Sequence, residues 1–483
     1  MTYVSVARRE VLLSSERDTD VLMQEQAELV ENGGDPMEVK DSELLWPLSS
    51  VLGELRLLGL WVPPPGRRLR HRLALAFVMV SHIANLLGAL ACITMDAPSD
   101  LPQLSFIAYN CLTDAGLTCK MFSFSLDGQR LTELLRLLAA SRQRFPDKAG
   151  HRARCQATAV KLRRFMQVTY RINTAYWLLA PIVRNIMAAI SKDTSSISRD
   201  IPIPIWLPFD ARSSPVYEIL YSLELAFGFA ISETTVLIDG SLIALILQVA
   251  AELAVLNDLL AAGVTPTLKQ SPSGVTISES TVQDLDVQVL PKSSPFLVDG
   301  SFSDFLHSRS STVSEVEIYQ QLIGNIQHHQ TIISCVRLLR KVLSRATSVL
   351  LFCNTISICF QVIATAVLLQ KDGDIAQTLK MLMGSSLYAY QVALFCLLGQ
   401  RIINQSERLI RSAFSGDWPD GDVRCWRLVH MLCLSTSRAL SLKICGIYTL
   451  SRMTLLQILN VSYSLLNFIY QTKAEQNVAE KEL

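Results

Sequence analysis

Charged residues are scarce in this chain. Only 18% of its 483 residues are charged, whereas soluble globular proteins carry about a quarter. Half of the residues are hydrophobic, and the mean hydropathy is +0.30. The composition therefore favours a membrane protein. Neither charge sign is in excess, since the formal net charge is +1, and we expect no nucleic-acid partner.

Several motifs that would indicate other classes of protein are missing. No signal peptide is visible, because the first long apolar run begins near Leu73, after the basic segment 67–72. The eleven cysteines show no paired spacing, so a disulfide framework is not expected. The sequence has no Gly-rich phosphate loop and no nucleophile elbow, and His328 and His329 lack metal-ligand spacing. We therefore expect no enzyme activity, no cofactor and no metal site.

Apolar segments long enough to cross a membrane as helices, which takes about 20 residues, are abundant. We predict seven spans, at 73–95, 102–125, 165–190, 216–247, 346–369, 378–399 and 451–471. Lysines and arginines concentrate in segments 67–72, 130–164 and 400–445, whereas the loop 95–103 has none. Because basic loops stay in the cytosol, the N-terminus is predicted to be cytoplasmic. Seven crossings then place the C-terminus outside the cell.

Four amphipathic segments lie on the predicted cytosolic side, at 130–165, 315–345, 400–414 and 423–440. Such helices could lie flat on the lipid surface or pack together as an anchor domain. Their continuity with the spans favours the anchor domain. Residues 264–312, rich in Ser, Thr, Pro and Val, and the polar N-terminal tail 1–60 are predicted to be disordered.

Two stretches near the C-terminus carry a family pattern. GQRIINQSERLIRSAFSGDW (399–418) resembles the cytosolic signature that follows the sixth span of insect odorant receptors. SRALSLKICGIYTLSRMTLLQILNVSYSLLNF (437–468) resembles that family's last signature, in which a helix break leads into a final span with a Ser-Tyr-Ser core. That core is Ser462, Tyr463 and Ser464 here. The chain is therefore identified as similar to the insect odorant receptors.

Two relatives within the same superfamily fit the sequence less well. Gustatory receptors usually end in Thr-Tyr, five hydrophobic residues and Gln-Phe. Here the core is Ser462-Tyr463, and Gln471 comes two residues late and is followed by Thr472. The odorant co-receptor ends almost immediately after a Thr-Tyr variant of the last span, whereas this chain continues through residues 471–483. The pattern favours a ligand-binding receptor.

The resemblance implies an odorant-gated, non-selective cation channel in the plasma membrane. It would be a homotetramer, or a heterotetramer with an odorant co-receptor, embedded in membrane lipid and opened by a small volatile odorant. Its last span would line a central pore. The runner-up functions are a gustatory receptor channel and a secondary transporter, which would use intramembrane charges such as Asp114, Lys120, Glu218, Glu224 and Glu233. A transporter also predicts an internal repeat and broken helices, and the sequence shows neither.

Polar residues interrupt the last span in a row. Asn460, Tyr463 and Asn467 recur at steps of three and four, which places them on one helical face, and Tyr470 extends it. Polar side chains in a span face a bundle interior or water. Pore lining and hydrogen bonding within one subunit both remain open on this evidence. The resemblance places the gate region at Leu466, Ile469 and Tyr470 and the outer mouth at Gln471.

The resemblance places an odorant pocket in the outer half of the second, third, fourth and sixth spans. Small volatile ligands need a concave apolar site with few polar groups. Trp177 lies mid-span, where anchoring at the membrane interface cannot explain a tryptophan. For each candidate the alternative is ordinary core packing. The candidates are Ile107, Asn110, Cys111, Tyr170, Asn173, Trp177, Tyr221, Leu225, Met381, Gly384, Ser385 and Tyr388.

The expected fold is an all-α membrane protein of six parts. They are a disordered cytosolic tail (1–60), four spans with the pocket (61–260), a disordered cytosolic loop (261–314), two spans with anchor helices (315–445), the pore-lining helix (446–472) and an extracellular tail (473–483).

Overall fold

The computed structural model describes residues 44–61, 68–95, 101–191, 199, 201–203, 206–262, 301–370, 375–416, 422–444 and 448–482. Within these ranges, the side chains of residues 68, 101–102, 301–315, 363, 366–367, 369–370, 375–377, 465–466, 469–470 and 472–482 lie outside the description. The predicted tail up to residue 43 and most of the predicted loop, 263–300, also lie outside it. The elements below belong to one unit, Leu45–Leu483.

Helices make up nearly all of the described structure, because a helix satisfies its own backbone hydrogen bonds in an apolar environment. A short 3-10 helix, η1, spans Trp46–Leu48. Ten α-helices lie within the described residues, and two short strands form one antiparallel hairpin. They are α1 (Leu52–Leu57), α2 (Arg68–Met95), α3 (Leu101–Leu126), α4 (Gly128–Arg144), α5 (His151–Ile190), α6 (Val216–Ala261), α7 (Ser301–Gln370), α8 (Ile375–Phe414), α9 (Val423–Thr436), β1 (Lys443–Ile444), β2 (Tyr448–Thr449) and α10 (Arg452–Glu482).

Helices occupy all seven segments predicted as membrane spans, so the all-α class is confirmed. Four described helices are long and apolar enough to cross a membrane: Leu69–Met95, Val216–Ala261, Val316–Val362 and Thr378–Phe414. The segments 102–125, 165–190 and 451–471 are helical but are not among these four. The count of seven spans therefore stays a prediction.

Three helix boundaries differ from the sequence interpretation. Helix α7 begins at Ser301, inside the predicted loop 261–314, and runs unbroken to Gln370. Residues 46–57, assigned to the disordered tail, form η1 and α1, and Leu48, Val51 and Leu55 there are fully buried. Helix α10 continues to Glu482 through the predicted tail 473–483, whose Ala, Glu, Gln and Lys residues are good helix formers.

Helix α6 stands at the centre of the bundle. Almost every residue from 230 to 257 is buried, and α2, α5, α7 and α8 pack around it. A helix that is buried on all sides must be apolar on all sides, which explains why α6 shows hydrophobic residues without a polar face. The few polar groups that α6 does carry therefore need partners on neighbouring helices.

The amphipathic segments pack together in a second region. The buried Glu252 of α6 receives two hydrogen bonds from Arg152 of α5, from Nε at 2.7 Å and from Nη2 at 2.9 Å. Ser141 of α4 donates to the same carboxylate at 2.5 Å, and His328 Nε2 of α7 lies 3.0 Å from it. The Phe145 ring stacks on His328 at a centroid distance of 4.1 Å. Four helices are thereby joined around one buried carboxylate.

Three residues near the start of the signature segment, Gly399, Gln400 and Ser406, fix the hairpin that precedes α10. Ser406 Oγ accepts a hydrogen bond from the backbone N–H of Leu440 at 2.8 Å. Gln400 Oε1 accepts one from the N–H of Arg452, the first residue of α10, at 3.2 Å. Gly399 packs directly against Leu450, where a side chain would overlap the Leu450 carbonyl oxygen. These residues therefore set the point at which the last helix begins.

Gly399→Ala is expected to destabilise this junction. The added Cβ would meet the Leu450 backbone, including its carbonyl carbon at 3.0 Å, and Leu450 is itself buried. Overpacking of this kind costs about 1–3 kcal/mol. The thermal midpoint of the purified protein should fall. Gly324→Ala is the matched control, because this helical glycine has open space around it and alanine favours a helix. Equal stability of both variants would contradict the prediction.

Candidate functional site

Four aromatic rings meet between α3, α5 and α8. We call Phe106, Tyr109, Trp177 and Tyr388 the aromatic cluster. The Phe106 and Trp177 rings stack at a centroid distance of 5.4 Å, and Tyr109 lies 6.0 Å from Trp177. Tyr388 meets Tyr109 edge-on at 5.9 Å. Phe106 and Tyr109 lie three residues apart on α3 and so share the helical face that looks towards α5 and α8.

The absence of a side chain at Gly384 allows the polar ends of two side chains, Gln361 and Tyr109, to approach one another at this cluster. A Cβ at Gly384 would lie 2.8 Å from Nε2 of Gln361 and 3.0 Å from the Tyr109 hydroxyl oxygen. It would also lie 3.7 Å from the Trp177 ring. The missing side chain therefore leaves room for an amide and a phenol hydroxyl beside the indole.

Three polar atoms on one face of α5 have no hydrogen-bond partner among the described residues. They are the Tyr170 hydroxyl, the Asn173 carbonyl oxygen and the Trp177 indole nitrogen, at helical steps of three and four. Tyr170 and Trp177 are buried. Buried polar atoms in native structures are nearly always hydrogen-bonded, so each exception needs an explanation. A guest molecule with donor or acceptor groups would supply partners to this row.

Lys380 closes the cluster on one side. Its Nζ lies 4.4 Å from the centroid of the Trp177 ring and 5.2 Å from that of Phe106. This is the geometry of a cation–π contact. The same Nζ donates to the carbonyl of Pro202 at 3.2 Å, and the buried Glu224 accepts from the N–H of Ile203. Lys380 and Glu224 thus hold the segment 201–203 against the cluster.

The structure brings some predicted pocket residues together and separates others. Trp177, Gly384 and Tyr388 belong to the cluster or touch it, and Tyr170 and Asn173 share the α5 face. Met381 is fully buried and packs in a core with Ala364, Leu368 and Phe106. Ile107 and Asn110 are buried on α3, and the Asn110 side chain donates to the Phe106 carbonyl at 2.9 Å.

Four other predicted pocket residues take different positions. The Tyr221 hydroxyl donates to the Leu178 carbonyl, which accounts for its polar group. Ser385 lines a separate cavity of about 240 Å³ between α7, α8 and α10. Cys111 and Leu225 are half-buried, and neither takes part in the ring contacts of the cluster.

The sequence interpretation missed Phe106, Tyr109 and Lys380. Phe106 and Tyr109 flank the predicted Ile107 and Asn110, and their spacing of three residues was the available signal. Lys380 is the one cation in the apolar segment 378–399, and intramembrane charges mark functional sites. Gln361 gave no local signal, because its contact with the site depends on how α7 packs.

The polar row of α10 lies open on the surface of the subunit. Asn460, Tyr463, Asn467 and Gln471 are exposed, and Tyr463 keeps 65% of its surface accessible. Apolar neighbours such as Val461 are exposed as well, so α10 lies at the edge of the subunit. The exposed side chains of this polar row are therefore not turned inward to form hydrogen bonds with the subunit's own core. The side chains of the predicted gate residues Leu466, Ile469 and Tyr470 lie outside the described part.

A buried polar junction links four helices, α3, α6, α7 and α8. Lys120 of α3 and Asp239 of α6 form an ion pair of 2.6 Å, with side chains 1% and 0% exposed. Gln391 of α8 donates to the other Asp239 oxygen at 2.5 Å. Asn354 of α7 donates to the Gln391 carbonyl oxygen at 2.9 Å. We call these four residues the polar junction.

Long apolar helices and a buried aromatic and polar site enclosed between them define a helical transmembrane protein. A family comparison is more specific. The sequence profile described as "7tm Odorant receptor" matches residues 100–463. The chain therefore belongs to the 7tm odorant receptor family, and the predicted family resemblance is confirmed.

Solved structures with the same fold come from an insect olfactory receptor. The structure of olfactory receptor OR5 from Machilis hrabei in complex with eugenol has a TM-score of 0.65 and 14% sequence identity. A second OR5 structure gives 0.62 and 13%. Each comparison covers 89% of this chain and 100% of the other. At this identity the likeness shows the fold alone. A search of curated proteins finds no match.

Proposed function

We propose that this odorant receptor is a subunit of an odorant-gated cation channel and binds its ligand beside the aromatic cluster. The observation that carries the ligand site is the row of unpartnered polar atoms on α5 next to four aromatic rings. Rings supply apolar contact area, and a few polar atoms fix the orientation of a small ligand. Among the predicted candidates, Met381 packs in the core that includes Phe106, and Ile107 and Asn110 are buried on the same helix as Phe106 and Tyr109.

The geometry favours a ligand that combines an aromatic or unsaturated body with one or two oxygen atoms. The indole N–H of Trp177 is a donor, the Asn173 carbonyl oxygen is an acceptor, and the Tyr170 hydroxyl is both. A phenol or a small alcohol satisfies such a set without a charge. Eugenol, bound by OR5 in its solved complex, has this chemistry and is the first ligand to test.

We further propose that α10 lines a central pore between four subunits, as a homotetramer or with an odorant co-receptor. Its exposed polar face supports this, because a helix at the edge of a subunit needs other walls to exclude lipid from Asn460 and Asn467. The face carries no fixed charge, so selection among cations would be weak. The receptor would lie in the plasma membrane with seven spans, the N-terminus in the cytosol and the C-terminus outside.

The alternative transporter function has less support. Transporters place substrate at discontinuous helices near the middle of the membrane. Helices α3, α6, α7 and α8 run unbroken through the described residues, and the family match points to receptors. Expression of the chain alone and with a co-receptor, with current recorded during eugenol application, tests the proposal. Uptake of a substrate during eugenol application, with no accompanying current, would contradict the channel proposal.

Cysteine substitution tests the pore. Tyr463→Cys and Asn467→Cys are expected to make the odorant-evoked current sensitive to a charged methanethiosulfonate reagent, because both side chains lie on the exposed polar face. The current should fall by more than half within the exposure. Val461→Cys is the matched control, because Val461 is 57% exposed but lies about 160° around α10 from Tyr463 and about 120° from Asn467. If the reagent reduced the current only in the Val461→Cys variant, the face of α10 that carries Val461 would line the ion path instead of the polar face.

A further inference from the structure

An open groove runs between α7, α10 and the hairpin. Its cavity volume is about 760 Å³, and most of its lining is apolar. Helix α7 contributes Val349, Phe352 and Ile356, and α10 contributes Ile458 and Val461. The groove is separate from the aromatic cluster, whose residues do not line it.

The groove opens sideways along the surface of the subunit. Phe352 is 65% exposed and Val349 is 40% exposed, although both line the cavity. Large apolar side chains exposed together mark an interaction site or a lipid-facing surface. Helix α7 is one of the four helices that could span a membrane. A groove of this kind fits a hydrocarbon chain.

A row of cations leads into the groove. Arg337, Lys341 and Arg345 are exposed and recur every four residues on α7, so they follow one face of the helix. The same face continues into Val349 and Phe352. At a rise of 1.5 Å per residue, the Cα atoms of Arg345 and Phe352 are separated by about 10 Å along the axis. This spacing suits a lipid with its phosphate at the cations and its tail in the groove.

Arg345 keeps part of its hydrogen-bonding capacity for such a ligand. Its Nη1 lies 3.3 Å from Asp127, whose same oxygen also contacts Arg130. The guanidinium carries five N–H donors, and the Arg345 side chain is 55% exposed. One shared carboxylate therefore leaves donors and positive charge available. The cytoplasmic leaflet is rich in anionic lipids that attract such cations.

We propose that the groove binds one anionic phospholipid, with its phosphate against Arg337, Lys341 and Arg345 and an acyl chain between α7 and α10. The site rests on the proposed orientation, which puts the predicted cytosolic segment 315–345 at the inner headgroup level. Because Ile458 and Val461 belong to α10, the bound chain supports the helix proposed to line the pore. A second subunit in the groove would have to bring carboxylates to the three cations.

Native mass spectrometry of the purified full chain tests this site without requiring channel activity. The probes are phosphatidylserine and phosphatidylcholine, added separately and in competition. Wild type should retain one phosphatidylserine per chain in preference to phosphatidylcholine. In the Lys341→Gln/Arg345→Gln double variant, this preference should fall roughly 30-fold, because each cation near a membrane surface contributes roughly a fivefold gain. The control is Lys161→Gln/Arg164→Gln, which removes two exposed cations of α5.

Other outcomes overturn the proposal. If the Lys161→Gln/Arg164→Gln control lost the preference for phosphatidylserine equally, the preference would reflect only general charge attraction. If the Lys341→Gln/Arg345→Gln variant kept the preference unchanged, these cations would not form a lipid site. Cross-linking of one chain to another through Phe352→Cys, with no phospholipid retained, would show that a second copy fills the groove. Odorant-evoked current recorded from the wild-type chain separates the two proposals. Absent current with a retained phosphatidylserine preference refutes the channel alone.

Discussion

Trp177→Ala is expected to raise the odorant concentration for half-maximal response by roughly 30-fold or more. The indole contacts Phe106, Tyr109 and Lys380, so its removal takes away the common wall of the site. Truncation of a buried aromatic at the centre of a binding site costs about 2 kcal/mol or more. Dose–response curves for eugenol, with surface protein measured in parallel, check this result.

Trp177→Phe separates the two contributions of the indole. Phenylalanine keeps an aromatic ring beside Phe106 but removes the unpartnered N–H and part of the fused ring. A ligand with an acceptor oxygen should lose about 1 kcal/mol, roughly fivefold in sensitivity, whereas a pure hydrocarbon should lose little. Trp206→Ala is the control, because Trp206 lines a different cavity between α2 and α6. If the Trp177→Ala variant responded to every active ligand with unchanged sensitivity, the aromatic cluster would not be part of the ligand site.

Asp239→Ala is expected to destabilise the receptor by about 3–5 kcal/mol. The substitution leaves the Lys120 ammonium buried without its partner and removes the acceptor of Gln391. Loss of one member of a buried ion pair has this effect because the remaining charge is uncompensated. The thermal midpoint of the purified protein and its amount at the cell surface should both fall sharply. The double variant Lys120→Met/Asp239→Leu should recover much of the loss, since no charge is then buried.

The ion pair of Arg136 with Glu133 on α4 supplies a solvent-exposed control. The Arg136 and Glu133 side chains are 65% and 50% exposed, and Arg136 Nη1 lies 3.5 Å from the Glu133 carboxylate. Exposed pairs contribute about 0–1 kcal/mol because solvent screens them. Glu133→Ala should therefore change stability little. If Asp239→Ala proved as stable as Glu133→Ala, the polar junction would contribute no more than a surface pair.

Hydropathy was sufficient to locate the helices in the seven apolar segments, because an apolar run in a membrane must satisfy its backbone hydrogen bonds within one helix. The start of α7 at Ser301 was not predictable, since its first residues are Ser-rich and lack an apolar stripe. The signature segment 399–418 predicted the family, but the reason for Gly399 appeared only with its contact to Leu450. Local sequence cannot show which backbone approaches a glycine from another part of the chain.

Part of the candidate site was also predictable. Trp177 stood out, because a tryptophan in the middle of a span needs a specific reason. Gln361 and Lys380 join the site through the packing of α7 and α8, which no periodicity describes. The partner of Lys120 was likewise invisible, because Asp239 lies in a distant apolar run and meets Lys120 only when α3 and α6 are adjacent.

Helix α7 has a mechanical consequence. Its 70 residues form one continuous rod of about 105 Å, more than three times the thickness of a bilayer's hydrocarbon core of about 30 Å. Phe145 packs on His328 near one part of this rod, and Gln361 stands beside the indole at another. A rotation of the helix at the His328 contact is therefore transmitted through one unbroken helix towards Gln361. Inserting one residue between them would rotate everything beyond it by about 100°.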